Sequence, residues 1–253
     1  MTTYTLRKGA PDRTRTDLVV IGVATGKAGA LVAAPGAEPV ADAYGRKFTP
    51  MLASMGFGGG FGEVVKVPTH GTLNAAHLLA VGLGPRGELT TEKVRRAAGV
   101  AARNLGNAAS VALALPAVDA AHVRAIVDGF RSGLYRFDAY KSSTPKTTRS
   151  KGGRAGVAEV VVLSEVARRA DATTAVTASG IVGDLVDRAR DWVNTPANDL
   201  VPTGFAAEIE ELTRGTGVGF EVLDAAALAD LGCGGILAVG QGSEHPPCLV
   251  KLT

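Results

Sequence analysis

Between residues 17 and 163, short runs of Val, Leu, Ile and Ala alternate with segments whose apolar residues recur every three or four positions. That alternation limits the fold more than any other feature of the chain. Residues 17–23 (DLVVIGV), 29–34 (GALVAA), 63–67, 77–81, 109–115 and 157–163 read as buried strands. Residues 89–105 read as a helix, with Val94, Ala97, Ala98, Ala101, Ala102 and Leu105 on one face and Arg95 and Arg103 off it. Thr90 or Thr91 caps its start, and Glu92 suits its first turn. Asp119 caps a second helix whose stripe is Val123, Ile126, Val127, Phe130 and Leu134. Residues 48–55 are expected to add one or two helical turns. Strands joined by helices bury both faces of a sheet, so an α/β fold is expected: a three-layer α/β domain over residues 17–165.

The remaining composition narrows the setting. At 253 residues the chain suits one large domain or two modest ones. Aromatic residues make up only 5% against 46% hydrophobic overall, so the core is expected to be built from small aliphatic side chains. A net charge of +3 is too mild to imply a polyanionic partner by itself. No apolar run approaches the ~18 residues that span a bilayer, and no membrane partner is expected. The two cysteines, Cys233 and Cys248, form no Cys-x-x-Cys pair, which fits a reducing cytoplasm and gives no zinc signature. Residues 1–16 are polar and basic without the apolar centre of a secretory signal, and are expected to be a loose tail.

After residue 165 the pattern changes. Residues 166–193 read as a connector helix, with Val182, Leu185, Val186, Ala189 and Val193 on one side and Asp184 and Arg188 four apart as a supporting ion pair. Pro196 ends it near Thr195. Residues 194–253 then read as a loop, a helix, a strand, a short helix, a Gly-rich strand at 236–239 and a last apolar strand at 248–253. Such a run builds a parallel sheet needing cover on both faces, which so few residues cannot supply. The expectation is the incomplete beginning of a second α/β domain, with exposed strand edges and uncovered apolar side chains.

No catalytic constellation stands out from the residues alone. Gly82-Leu83-Gly84-Pro85-Arg86-Gly87 matches Gly-x-Gly-x-x-Gly between a strand and a helix, yet no Asp or Glu falls between Lys93 and Val118 to hold a ribose. Pro85 removes an amide as well. A tight strand-to-helix turn is the better reading, with NAD or ADP-ribose binding as the rival. Residues 56–62 (GFGGGFG) read as a mobile surface loop; as a phosphate cradle they lack a following Lys-Ser/Thr and helix start. His70, His77, His122 and His245 are scattered without a close ligand pair. Ser243 lacks the Gly-x-Ser-x-Gly elbow. Cys233 and Cys248 read as small core residues, and Glu208, Glu210 and Glu211 as a solvated helix face. Residues 141–154 (KSSTPKTTRSKGGR) carry five cations and no acid. They read as a solvated loop, with salt-dependent DNA binding as the alternative.

Four stretches taken together resemble the cytosolic leucine aminopeptidase family of metallo-exopeptidases. They are residues 78–105 (LLAVGLGPRGELTTEKVRRAAGVAARNL), 129–142 (GFRSGLYRFDAYKS), 189–202 (ARDWVNTPANDLVP) and 237–252 (LAVGQGSEHPPCLVKL). The last two are the more specific, joining an unusual loop to a Gly-Gln-Gly-Ser turn. Trp192 stands where a smaller aliphatic residue is usual. The resemblance implies an N-terminal α/β domain, a connector helix and a catalytic domain, assembled as homo-hexamers in the cytoplasm. It also implies two divalent metal ions (Mn²⁺ or Zn²⁺) that activate water against the first peptide bond of a substrate, leucine being preferred at its N-terminus. The family's ligand motifs follow the Gly-Gln-Gly-Ser region. No catalytic, cofactor-binding or metal residue is therefore carried onto this chain, and these 253 residues alone are expected to be inactive.

Overall fold

The computed structural model describes residues 2–141 and 156–253. In order, these form β1 (Thr3–Arg7), β2 (Leu18–Thr25), β3 (Leu31–Ala33), α1 (Glu38–Tyr44), α2 (Phe48–Ser54), β4 (Val64–Pro68), β5 (His77–Pro85), α3 (Thr91–Arg103), β6 (Ser110–Ala114), α4 (Ala120–Leu134), β7 (Glu159–Leu163), α5 (Ala170–Asn194), α6 (Pro202–Thr213), β8 (Phe220–Leu223), α7 (Ala225–Asp230), α8 (Gly234–Gly240) and β9 (Leu249–Leu252). Two compact units result, Met1–Asp187 and Arg188–Thr253, divided inside α5.

The first unit is a seven-stranded sheet in the order β1-β7-β6-β2-β5-β4, with β3 paired to β2 beside that path. Four of its pairings (β1·β7, β7·β6, β6·β2 and β2·β5) are parallel, while β4 and β3 run antiparallel to their neighbours. Parallel strands are covered on both faces, which is why β2 is an unbroken apolar run. Leu18 and Val20 enter a core shared with α3 and α4, whereas Val19, Ile21 and Val23 enter a second core with α1 and α2. Three layers follow directly from that alternation. The predicted caps form: the Thr90 hydroxyl accepts from the Lys93 amide, and the Asp119 carboxylate from the His122 amide.

The N-terminal residues are not a loose tail. Thr3–Arg7 is the sheet's edge strand, paired in register from Thr3↔Glu159 to Arg7↔Leu163. Its inward residues Tyr4 and Leu6 pack on the α3–α4 core while Thr3, Thr5 and Arg7 face outward. An edge strand needs only a half-apolar pattern, so its polar composition concealed it. Pro11 and Thr14 are buried as well.

Asp17 fastens the start of β2 to β6. Its Oδ2 accepts from the amides of Ala109 (2.8 Å) and Ser110 (2.9 Å). The backbone hydrogen bond from Ser110, foremost, holds its carboxyl below the usual carboxylate range. A lowered folded pKa contributes stability above the unfolded value of about 3.9, and that contribution is lost as pH falls through the folded value. Asp17→Asn is thus expected to be less stable than the parent at neutral pH, the gap closing on acidification below about pH 4. Paired urea denaturations at neutral and acid pH check this; a gap independent of pH would refute the assignment.

In the second unit, two expectations are corrected. Residues 236–239 lie in helix α8, not in a strand. The preceding α7 ends in a Schellman motif: Gly232 takes φ +70°, Cys233 N–H donates to Leu228 O, and Gly232 N–H to Ala229 O. The chain then turns straight into a new helix that satisfies its own backbone. Strand β9 pairs antiparallel with β8, from Phe220↔Leu252 to Leu223↔Leu249, rather than parallel. Only Ala206 and Leu228 are buried in this unit, while Val239 is 88% exposed.

Candidate functional site

The two glycine motifs meet. Strand β5 does not stop at Val81 but runs on through Gly82, Leu83 and Gly84 to Pro85, so the first half of Gly-x-Gly-x-x-Gly is strand rather than turn. Loop 56–62 lies on that extension: Gly62 N–H donates to Gly82 O (2.9 Å), Gly82 N–H to Glu63 O (2.8 Å), and Gly84 N–H to Gly59 O (3.1 Å). A Cβ on Gly82 would come within 2.9 Å of the Gly59 carbonyl carbon and nearer still to Gly60 O. Only glycine admits such an approach. The amides of Gly58 and Gly60, which a phosphate would need, instead donate to Glu63 Oε2 at 2.9 and 3.1 Å. An internal carboxylate fills the cradle, and the loop is built into the sheet end.

The other sequence candidates stay apart. His122 Nδ1 is 2.8 Å from Asp119 Oδ1, within the α4 cap. His70 holds φ +48° in a turn and His77 begins β5. His245 donates its amide to Ser243 Oγ (3.1 Å), a turn contact that leaves Ser243 without a strand-to-helix elbow. Cys248 Sγ donates to Pro202 O (3.3 Å), and Cys233 precedes α8; both are half-buried. Glu210 and Glu211 are exposed, but Glu208 is not merely solvated. Its Oε2 accepts from Trp192 Nε1 at 2.7 Å, with Arg188 Nη1 at 3.7 Å. The Trp192 ring stands edge-on to Phe205, their centroids 4.8 Å apart. The basic stretch 141–154 lies, except for Lys141, outside the described residues. Among the described residues no three His, Cys, Asp or Glu side chains converge to hold a metal ion, so this donor set does not fit a dimetal centre.

Charge is concentrated elsewhere, where α4 meets α5. The Arg131 guanidinium donates from Nε to Asp187 Oδ2 (3.2 Å), from Nη1 to Gly180 O (3.2 Å) and from Nη2 to Asp184 Oδ1. Asp184 therefore pairs with Arg131 rather than with Arg188. A Cβ on Gly183 would lie 2.9 Å from the guanidinium carbon, so the glycine lets the planar group rest on the helix backbone. The spacing Gly180, Gly183, Asp184, Asp187 is one face of a helix, a signal present in the sequence but without meaning until Arg131 is placed opposite. Beside this saddle, Tyr4 Oη is buried with no hydrogen bond to the protein.

With this geometry in hand, the relatives are informative. Residues 20–144 match the model of the cytosol aminopeptidase family's N-terminal domain, and residues 187–253 match that of the family's catalytic domain. A probable cytosol aminopeptidase of Streptomyces coelicolor is 41% identical over 265 residues, covering 100% of this chain and 51% of its own. One from Rhodococcus opacus is 35% identical, covering 94% and 46%. The chain spans about half the length of the curated relatives it matches. Among solved structures, the bottromycin maturation enzyme BotP in complex with Mn is similar at a TM-score of 0.70 and 32% identity, over 94% of this chain and 45% of that one. A tomato leucine aminopeptidase variant reaches a TM-score of 0.81 over 100% of this chain and 50% of its own; at 18% identity that is a likeness of fold. No described helix is long and apolar enough to cross a membrane. Two models of one family, matched in succession along a three-layer α/β unit and a smaller following one, place this chain in the cytosol aminopeptidase family, as its N-terminal domain and the start of its catalytic domain.

Proposed function

We propose that these residues belong to a metal-dependent aminopeptidase that releases N-terminal residues, leucine foremost, from peptides in the cytoplasm. The observation that carries this reading is the order of the two domain matches, N-terminal then catalytic, over residues 20–144 and 187–253. The cofactor of this reading is a pair of divalent ions, Mn²⁺ or Zn²⁺, per active site; the manganese in the BotP complex supports a divalent metal. Their ligands are assigned to the half of the relatives' length that this chain does not span. The first unit then serves assembly into a homo-hexamer and access to the active sites. DNA or nucleotide binding is the alternative reading and is not favoured by these family matches; a phosphate at residues 56–62 is disfavoured because Glu63 Oε2 already accepts from the Gly58 and Gly60 amides.

A chimera tests the proposal. Replacing the first half of the Streptomyces coelicolor relative by residues 1–253 is expected to give Mn²⁺-stimulated release of leucine from leucine p-nitroanilide. The 253-residue chain by itself is expected to give none. A folded but inactive chimera would count against the activity, and turnover by the chain alone against where the metal site has been put.

A further inference from the structure

Strands β2 and β5 are parallel neighbours whose pairing ends at Thr25↔Pro85. The chain leaves β2 by way of β3 for α1 and α2 on one face of the sheet, and leaves β5 for α3 on the other. Adjacent parallel strands whose continuations part in this way leave a crevice beyond their carboxyl ends, the place where open α/β sheets receive ligands. Here the crevice is an open groove of about 780 Å³ whose lining includes Thr25, Lys27, Val32, Pro85, Arg86 and Gly87. The second half of the Gly-x-Gly-x-x-Gly motif, Pro85-Arg86-Gly87, therefore belongs to the groove, although its first half is strand.

Charge and strain give this groove a specific chemistry. Lys27 and Arg86 are exposed, neither side chain has an ion-pair partner among the described residues, and no acid lines the groove. Val32 and Pro85 add apolar surface. Lys27 sits in a strained turn: Ala28 takes φ +53°, a left-handed conformation costly for a residue with a Cβ, while Gly26 N–H donates to Ala30 O (2.7 Å) and Ala30 N–H to Lys27 O (3.2 Å). Strain of this kind clusters at ligand clamps. A nucleotide suits the groove poorly. The nearby amides of Gly58 and Gly60 donate to Glu63, and Phe61, beside Gly84, already carries the Arg96 guanidinium 4.9 Å from its ring centroid. Two cations beside apolar surface instead complement carboxylates spaced along a chain with an apolar side chain between them. We propose that this groove docks an acidic segment of a partner polypeptide, its carboxylates on Lys27 and Arg86 and its apolar side chain against Val32 and Pro85. Such docking is independent of the aminopeptidase reading.

Calorimetric titration of the 253-residue chain with a short acetylated and amidated peptide, in which two glutamates flank a valine, tests the groove without any turnover. The peptide is expected to bind with a Kd of about 0.1–1 mM at low salt, and its glutamine analogue about tenfold more weakly. Lys27→Glu and Arg86→Glu should each weaken the peptide about fivefold at an unchanged melting temperature, because neither cation is paired within the described protein. Arg15 is exposed just before β2, at the opposite end of that strand. Arg15→Glu changes the net charge equally and should leave the affinity within about twofold. No binding at about 10 mM peptide, equal binding of the glutamine analogue, or an equal loss in Arg15→Glu would each overturn the site. Binding of ADP more tightly than of the peptide, lost in Arg86→Glu, would overturn the peptide as occupant in favour of a phosphate.

Discussion

Phe130→Ala should cost the first unit about 4 kcal/mol, the largest loss expected from any single substitution considered. Phe130 is 0% exposed and belongs to the core between the sheet and the α3–α4 layer, beside Val94, Ile126 and Val160. In a chain with 5% aromatic residues, that core is otherwise built of Val, Leu and Ala. Its neighbours on a regular helix and a paired sheet cannot collapse far into the space a phenyl ring vacates. Lost transfer energy and a residual cavity therefore add. Urea denaturation followed by far-UV circular dichroism checks it, because the single tryptophan, Trp192, lies in the other unit and cannot report. A loss under about 2 kcal/mol would mean that the core repacks.

Gly129→Ala errs in the opposite direction, one residue away. Gly129 faces α3 at its closest approach: an added Cβ would sit 2.7 Å from the Arg95 carbonyl carbon and nearer to its oxygen. Gly133 repeats the contact one turn on, 2.7 Å from Ala102 Cβ, and Gly99 answers from the other helix, 3.1 Å from Gly129 O. The obstacle is backbone, so the helices must separate and loosen the Val94, Ala98 and Val127 contacts beneath them. Overpacking of this kind costs about 3 kcal/mol, and alanine's better helix propensity returns about 1, leaving a net loss of about 2 kcal/mol. Gly180→Ala in α5 is the control, since a Cβ there meets nothing within 4 Å; it should be neutral or mildly stabilising. If both variants behaved alike, close helix crossing would not be the reason for glycine at 129.

The saddle on α5 has a consequence for the order of these elements. Arg131 follows Phe130 and Gly129 directly, so three successive residues of α4 serve the core, the α3 crossing and the α5 junction. A helix presents successive side chains about 100° apart, which is what lets one segment address three neighbours. Residues 129–131, which open one of the stretches by which the chain resembles its family, are thus constrained for architectural reasons before any catalytic role is invoked.

Local rules made much of the first unit readable in advance. Periodicity marked α3 and α4 down to the buried stripe, Thr90 and Asp119 announced their caps, and aliphatic runs located β2, β5, β6 and β7. Those features depend on residues within a few positions of one another, so the chain states them by itself. The motifs at 189–202 and 237–252 likewise pointed to the aminopeptidase family without any coordinates. Tertiary structure alone decided the rest. Thr3–Arg7 became a strand because β7 offered an edge more than 150 residues later, at Glu159–Leu163. Glu63 could be read as the occupant of a glycine cradle only once β5 ran beneath the loop. Residues 236–239 became helix because β8 paired with β9 and left no strand beside them among the described residues. Asp184 chose Arg131 over its own helix neighbour because a guanidinium from α4 comes close against Gly183. In each case the deciding partner is distant in sequence, and hydrogen bonds and ion pairs are settled by proximity in space.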